Sequence, residues 1–166
     1  MQVLVSAASR HGATREIAAA IGERLAGHGL RVVVADPEVV EDVERFDAVV
    51  LGSAVYAGHW LDPARQLVER STAVLSERPV WLFSSGPVGD PPKPVEDAAE
   101  PRELLRTLPA RGHRTFAGRL DRGSLGFAER AIVRALHAPV GDFRDWAAIA
   151  AWADEIHEQL VALPTG

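Results

Sequence analysis

The sequence has no cysteine among its 166 residues, and this absence excludes several kinds of site. Without thiolates the chain has no disulfide, no cysteine-ligated zinc or iron–sulfur site and no cysteine nucleophile. No group of His, Asp and Glu residues has metal-ligand spacing, so no metal site is predicted. No apolar run approaches the ~20 residues of a membrane span, and no signal peptide opens the chain. We therefore expect a cytoplasmic protein without a transmembrane segment.

Positive charge is scarce as well, except in one segment. The formal net charge of −5 argues against a nucleic-acid partner. Between Arg102 and His137, however, eight arginines accompany three carboxylates. The segment 118–141 combines arginines with apolar residues and is predicted to be a basic amphipathic insertion. Residues 119–137 could then make a peripheral membrane contact or receive an acidic partner. The alternative is a solvated arginine face on a helix that packs against the core.

Apolar strands alternate with amphipathic helices along the chain. Strands are predicted at residues 3–7, 30–35, within 46–53, 80–84 and 114–117. Helices are predicted at residues 14–28, 62–76, 101–108 and 145–163, with Trp146 and Trp152 of the last one in the core. This alternation predicts one α/β domain over residues 1–166, a three-layer sandwich around a five-stranded parallel sheet of order 2-1-3-4-5. The insertion lies near the fifth strand.

The loop after the first strand has the features of an anion site. It ends at a helix N-terminus, where free backbone N–H groups and the helix dipole favour negative charge. It has neither the three glycines of a dinucleotide fingerprint nor a Walker A lysine. The alternative is that its hydroxyl residues only cap the helix. The candidate phosphate-binding residues are Ser9, Arg10, His11, Gly12, Ala13 and Thr14.

Two further loops should lie beside the first, at the carboxyl edge of the sheet. The loop at residues 52–60 carries aromatic side chains that suit a planar heterocycle, although Trp60 could instead anchor the next helix in the core. The loop after the fourth strand could lay backbone amides along a ring edge, or be an ordinary turn. Tyr56 and His59 are the nearest candidates for proton transfer. The candidate ring-binding residues are Ala54, Val55, Tyr56, Ala57, Gly58, His59, Trp60, Ser85, Gly86, Pro87, Val88, Gly89 and Asp90.

The motif Ser9-x-x-Gly12-x-Thr14 resembles the phosphate loop of the flavodoxin-like FMN-binding family. The run Gly58-His59-Trp60 and the tail beginning at Asp145-Trp146 resemble, more narrowly, the flavodoxin-domain group that contains menaquinone-dependent protoporphyrinogen oxidase. The resemblance implies FMN bound noncovalently, with its phosphate at the first loop and its ring between the other two. His11 departs from the pattern, since typical flavodoxins carry a third hydroxyl residue there.

The resemblance also implies a redox function, in three versions. The first is an FMN-dependent oxidoreductase, in its most specific form a quinone-linked protoporphyrinogen dehydrogenase with a porphyrin substrate. The second is an electron carrier for another redox enzyme. The third is a flavin-free interaction module. The implied partners are a redox protein or a quinone.

Overall fold

A computed structural model of the chain describes residues 1–56, 58–86, 103–104, 106–120 and 141–164. These residues form a central sheet with helices on both faces. The strands are β1 (Gln2–Ala8), β2 (Arg31–Ala35), β3 (Ala48–Tyr56), β4 (His59–Trp60), β5 (Val80–Ser85), β6 (Gly112–Phe116), β7 (Arg119–Leu120) and β8 (Gly141–Asp142). The helices are α1 (Ala13–Gly27), α2 (Asp62–Leu75) and α3 (Trp146–Val161), with a 3-10 turn at Pro37–Val39.

The five long strands are parallel and lie in the order β2-β1-β3-β5-β6. This confirms the predicted order 2-1-3-4-5, because β5 and β6 are the fourth and fifth of the parallel strands. The carboxyl ends of β1, β3 and β5 therefore lie at one edge of the sheet. The topological switch point, where the strand order reverses, lies between β1 and β3. Two short pairings were not predicted. β4 pairs antiparallel with the end of β3, and β7 pairs antiparallel with β8.

Alternating side chains of the strands build one core on each face of the sheet. Val5, Val50 and Phe83 pack with the apolar stripes of α1 and α3. Leu4 and Leu51 belong to the opposite core, against α2. Because both faces of the central strands are covered, β3 and β5 are apolar in nearly continuous runs, as buried parallel strands are.

Several predicted boundaries need correction. The third strand was predicted within residues 46–53 but runs on to Tyr56, because β4 supplies it with an antiparallel partner. The first helix begins at Ala13 rather than residue 14, after Gly12 in a left-handed conformation. Trp146 was predicted in the core but is 43 % exposed, since it lies in the first turn of α3 beneath Arg144. Trp152 is buried as predicted.

The predicted amphipathic insertion, residues 118–141, falls largely outside the described residues. Its two ends are described, and they pair with each other as β7 and β8. The predicted short helix at 101–108 is described in part, and residues 103–104 and 106–107 are helical. Across the described ranges, no helix has both the length and the apolar character needed to cross a membrane.

Candidate functional site

A glycine with a positive φ stands in each of the three loops at the carboxyl edge of the sheet. The φ angles are 89° at Gly12, 79° at Gly58 and 103° at Gly86, in the left-handed region that favours glycine. Among the residues that the structure describes, a Cβ atom placed on Gly12 or Gly58 would meet no heavy atom within 4 Å outside the glycine and its chain neighbours. The backbone at these two turns is therefore open to close approach by another molecule.

Two contacts bring the three loops together. The guanidinium of Arg10 lies 4.4 Å from the ring centroid of Tyr56, which joins the first loop to the end of β3. Ser85, just before the third loop, pairs with Ala54 in the parallel ladder, which places that loop beside the same strand. The edge thus has an α1 end, residues 9–16, and a hairpin end, formed by β4 and the last residues of β3.

The α1 end is a tight turn that leads directly into the helix. Gly12 is the residue before α1, so the alternative in which Ser9 or Thr14 caps the helix is wrong. The Ser9 hydroxyl oxygen instead accepts a hydrogen bond from the Gly12 amide at 3.0 Å. That bond leaves the Ser9 hydroxyl proton available to donate. Thr14 lies in the first turn and is 2 % exposed.

Three charged residues at the α1 end were not predicted from the sequence. Arg144 donates hydrogen bonds to Glu16 and to the Ala13 carbonyl oxygen, the latter at 3.3 Å. Arg119 donates to Glu16 at 3.3 Å and to the His11 carbonyl oxygen at 3.5 Å. Each arginine is more than one hundred residues from the loop it contacts. Of the three, only Arg119 lies within the arginine-rich segment between residues 102 and 137.

Arg144 is fixed by its surroundings. Its side chain is 5 % exposed, and it makes a two-point contact with Asp142 at 2.9 and 2.7 Å. Hydrogen bonding from Arg144 lowers the pKa of Asp142 to about 2. The guanidinium also lies 4.5 Å from the Trp146 ring centroid. These contacts attach the base of the β7–β8 pair to the start of α1.

The hairpin end differs from its prediction. Residues 52–60 were predicted to form a loop, but Val55 pairs with Trp60 and Tyr56 with His59 in the antiparallel ladder. The hairpin is tight because Gly58 adopts a positive φ between the two strands. Tyr56 is 41 % exposed and His59 is exposed, whereas Ala54 and Val55 are half-buried. The two candidates for proton transfer therefore lie at the surface of this edge.

Trp60 is 2 % exposed and belongs to the core against α2, in agreement with the interpretation in which it anchors the next helix. Its indole Nε1 donates a hydrogen bond to the Ser84 hydroxyl at 2.9 Å. The same hydroxyl lies 3.1 Å from Nε2 of His113. Burial, with a smaller contribution from Arg114, lowers the pKa of His113. A polar chain that is buried at Trp60 and Ser84 and half-buried at His113 thus fixes the hairpin to β5 and β6.

The third loop is described only at its start. Ser85 is 5 % exposed, and the Gly86 amide donates to the Phe116 carbonyl oxygen at 2.9 Å. The remaining predicted ring-binding residues lie outside the described part of the chain. They are Ala57, Pro87, Val88, Gly89 and Asp90. Among the residues that are described, no group of three or more His, Asp or Glu side chains is arranged to hold a metal ion.

Comparison with known proteins places the chain among flavodoxin domains. The family described as "Flavodoxin domain" matches residues 4–145. Protoporphyrinogen IX dehydrogenase [quinone] of Escherichia coli strain K12 is 28 % identical over 95 residues, which are 56 % of this chain and 52 % of that protein. The match spans about half the length of that relative. The resemblance inferred from the motifs is confirmed.

Solved structures show the same fold. A flavodoxin from the domain Archaea superposes with a TM-score of 0.65 at 16 % identity, covering 97 % of this chain and 99 % of that one. Flavodoxin 1 from Bacillus cereus gives a TM-score of 0.66 at 14 % identity, with 99 % and 100 % of the two chains covered. Rubredoxin oxygen:oxidoreductase from Desulfovibrio gigas gives 0.61 at 15 % identity, covering 97 % of this chain but 36 % of that one.

Proposed function

This chain belongs to the flavodoxin-domain family, and we propose that it binds FMN noncovalently and acts as an FMN-dependent oxidoreductase. The observation that carries the proposal is the meeting of three glycine turns at the switch point of the sheet, with a helix N-terminus at one end of them. Ligands of such sheets bind at this position. The proposed phosphate position is the α1 end, and the proposed ring position lies between the hairpin end and the loop that begins at Gly86.

The residues of the α1 end suit a phosphate monoester. The first amides of α1, the Ser9 hydroxyl proton and the Arg119 guanidinium are hydrogen-bond donors gathered around one turn. Arg10 belongs to the same turn, and its guanidinium lies over the Tyr56 ring. Gly12 leaves the space above the turn open. His11 replaces a hydroxyl donor with an imidazole, which can also donate. The donor set therefore fits an anion with three acceptor oxygens.

The residues of the hairpin end suit a planar ring. Gly58 opens the backbone, and Tyr56 is 41 % exposed, with the Arg10 guanidinium over its ring at 4.4 Å from the centroid. Bound FMN would supply the redox chemistry, while the protein binds and orients it and excludes water. Tyr56 and His59 are the side chains of this edge that could move a proton, since both are exposed beside the proposed ring position.

For the reaction itself, we propose quinone-linked oxidation of a porphyrinogen, on the strength of the partial match to protoporphyrinogen IX dehydrogenase [quinone]. The proposed partners are accordingly a porphyrinogen and a quinone, and the proposed location is the cytoplasmic side of a quinone-bearing membrane. An electron carrier is the second candidate, favoured by the coverage of almost the whole chain by small flavodoxins.

The first test is an absorbance spectrum of the purified full chain, alone and after addition of FMN. Flavin absorbance that stays with the protein through gel filtration, and that is released as FMN on denaturation, supports the proposal. A colourless protein that ignores added FMN contradicts it and favours the flavin-free module. Oxidation of protoporphyrinogen with menaquinone as acceptor then supports the enzyme, whereas an FMN-loaded chain that only passes electrons to another redox protein supports the carrier.

Replacing a hydroxyl at the α1 end tests the phosphate position. Ser9→Ala should weaken FMN binding by roughly 1.5–3 kcal/mol, because it removes a hydrogen bond to a charged group. Riboflavin, which lacks the phosphate, should bind both proteins equally. Thr14→Ala is the second variant. The control is Ser76→Ala, which removes an exposed hydroxyl just after α2. Equal FMN affinity in the wild type and both α1-end variants would place the phosphate elsewhere.

A further inference from the structure

The α1 end carries an acidic residue where a phosphate site would be expected to have none. Glu16 lies in the first turn of α1, close to the proposed phosphate position. One oxygen of its carboxylate, Oε2, pairs with both Arg119 and Arg144. A carboxylate at a helix N-terminus is stabilised by the dipole, but it also opposes a second anion at the same place. Glu16 therefore stabilises the start of the helix and at the same time lowers the affinity of the turn for phosphate.

The two arginines that share Glu16 are held differently. Arg144 is nearly buried and has a second carboxylate, Asp142, as a two-point partner. Arg119 is 29 % exposed, and its contacts with Glu16 and the His11 carbonyl oxygen are long, at 3.3 and 3.5 Å. Arg144 is thus a fixed part of the framework. Arg119 is the more adjustable charge, and it already lies against the backbone of the turn.

The charges within this cluster balance. Two guanidinium groups, of Arg119 and Arg144, accompany two carboxylates, of Glu16 and Asp142. Hydrogen bonding from Arg144 keeps the pKa of Asp142 at about 2, so Asp142 is ionised at neutral pH. Loss of the Glu16 charge would leave one uncompensated positive charge at the α1 end. Loss of the Arg119 charge would leave one uncompensated negative charge.

We infer that Glu16 and Arg119 set the affinity of the site for the phosphate of its flavin in opposite directions, Glu16 lowering it and Arg119 raising it. The inference rests on the proposed function. It makes these two side chains positioning and charge-setting residues of the α1 end. It also predicts that the affinity for FMN is lower than it would be without Glu16, because the Glu16 carboxylate competes with the phosphate for Arg119 and Arg144.

The test compares FMN with riboflavin, which differ in the phosphate. Dissociation constants for both flavins are measured by fluorescence titration on the full chain, for the wild type, Glu16→Gln and Arg119→Gln. Glu16→Gln should tighten FMN binding by about two- to tenfold, and Arg119→Gln should weaken it by a similar factor, as expected for one charge at several ångströms near a surface. Riboflavin affinity should stay the same in all three proteins.

Matched controls carry the same charge changes away from the site. Glu23→Gln removes an exposed carboxylate two turns further along α1, about 10 Å away at 1.5 Å per residue. Arg111→Gln removes an exposed guanidinium just before β6. Neither should change the ratio of FMN to riboflavin affinity. Thermal unfolding of the flavin-free proteins shows whether each variant is folded at the temperature of the titration.

The outcomes separate this inference from the proposed function. Opposite shifts of the FMN affinity in Glu16→Gln and Arg119→Gln, with constant riboflavin affinity, support the inference. An unchanged ratio of the two affinities overturns the inference alone. Parallel weakening of both flavins also overturns it, because it shows that the cluster only supports the fold of the turn. A wild-type chain that binds neither flavin overturns the proposed function and the inference together.

Discussion

The α1 end and the hairpin end of the candidate site are built in opposite ways. The α1 end is held by ion pairs to the exposed carboxylate of Glu16, from the partly exposed Arg119 and the nearly buried Arg144. The hairpin end is held by a largely buried polar chain from Trp60 through Ser84 to His113. Exposed ion pairs contribute little to stability and are screened by salt, whereas buried groups contribute through packing and complete hydrogen bonding.

This difference indicates a division of roles. Changes at the hairpin end should act mainly on the stability of the fold, because its anchor is part of the core against α2. Changes of charge at the α1 end should act mainly on ligand affinity, because its charges balance; only a change of its backbone at Gly12, where φ is 89°, should act mainly on stability. A change that reverses either expectation would contradict the division.

The largest expected effect is the loss of the hairpin anchor. Trp60→Ala should lower the free energy of unfolding by about 3–5 kcal/mol, because it leaves a cavity in a close-packed core and breaks the bond to Ser84. Trp146→Ala is the matched control, since Trp146 is 43 % exposed and makes a contact with Arg144 worth about 1 kcal/mol or less. Urea unfolding, followed by far-ultraviolet circular dichroism, measures both. Similar losses in the two variants would show that the buried indole does not anchor the hairpin.

The order of the parallel strands and the positions of the three loops could be predicted from the sequence, because strand–helix alternation permits few topologies. The hairpin could not. Residues 52–56 are mostly small and lack a clear period, so their strand conformation depends on the antiparallel partner that β4 provides. The burial of Trp60 was equally hidden, because an aromatic two residues after a glycine turn suits a ligand contact and a core anchor alike. The structure decides by placing Ser84 within hydrogen-bond distance of its indole.

The charged cluster could not be predicted for a different reason. Glu16, Arg119 and Arg144 come from positions far apart in the chain, and no local period relates them. Their contacts follow from parallel helices that place the start of α3 beside the start of α1, and from the β7–β8 pair that links them. Salt bridges between distant surface residues carry little sequence signal, because each arginine alone is typical of a solvated surface.

A medium effect is expected from the backbone of the α1 end. Gly12→Ala should cost about 1–2 kcal/mol of unfolding free energy, because alanine is strained at a φ of 89°. Gly27→Ala is the control, since a Cβ at either glycine meets no non-neighbouring heavy atom of the described part of the chain within 4 Å, and of the two only Gly12 has a positive φ. At Gly27, within α1, alanine should be neutral or stabilising by up to about 1 kcal/mol. Denaturant unfolding measures both, and equal effects would show that the turn is not constrained by its φ.

The smallest expected effect is a pH dependence at the hairpin end, since it involves one proton. Burial lowers the pKa of His113 from its ordinary value of 6.5, so below that pH the unfolded chain binds the proton more readily than the native chain. The stability present above about pH 6.5 should therefore be lost progressively as the pH falls. His113→Asn should remove this part of the loss, as measured by urea unfolding between pH 7.5 and about 5.

Ser84→Ala tests whether that pH dependence comes from the burial of His113 or from its contact with the Ser84 hydroxyl. It keeps the half-buried histidine and removes the hydroxyl that lies 3.1 Å from its ring nitrogen. Because burial rather than this hydrogen bond is the main cause of the lowered pKa, Ser84→Ala should lose overall stability but keep the wild-type change with pH. If Ser84→Ala instead behaves like His113→Asn, the hydroxyl controls the proton, and the hairpin end depends on its hydrogen-bond chain more than on its packing. That outcome would make the two ends of the site more alike, since polar interactions would then control both the α1 end and the hairpin end.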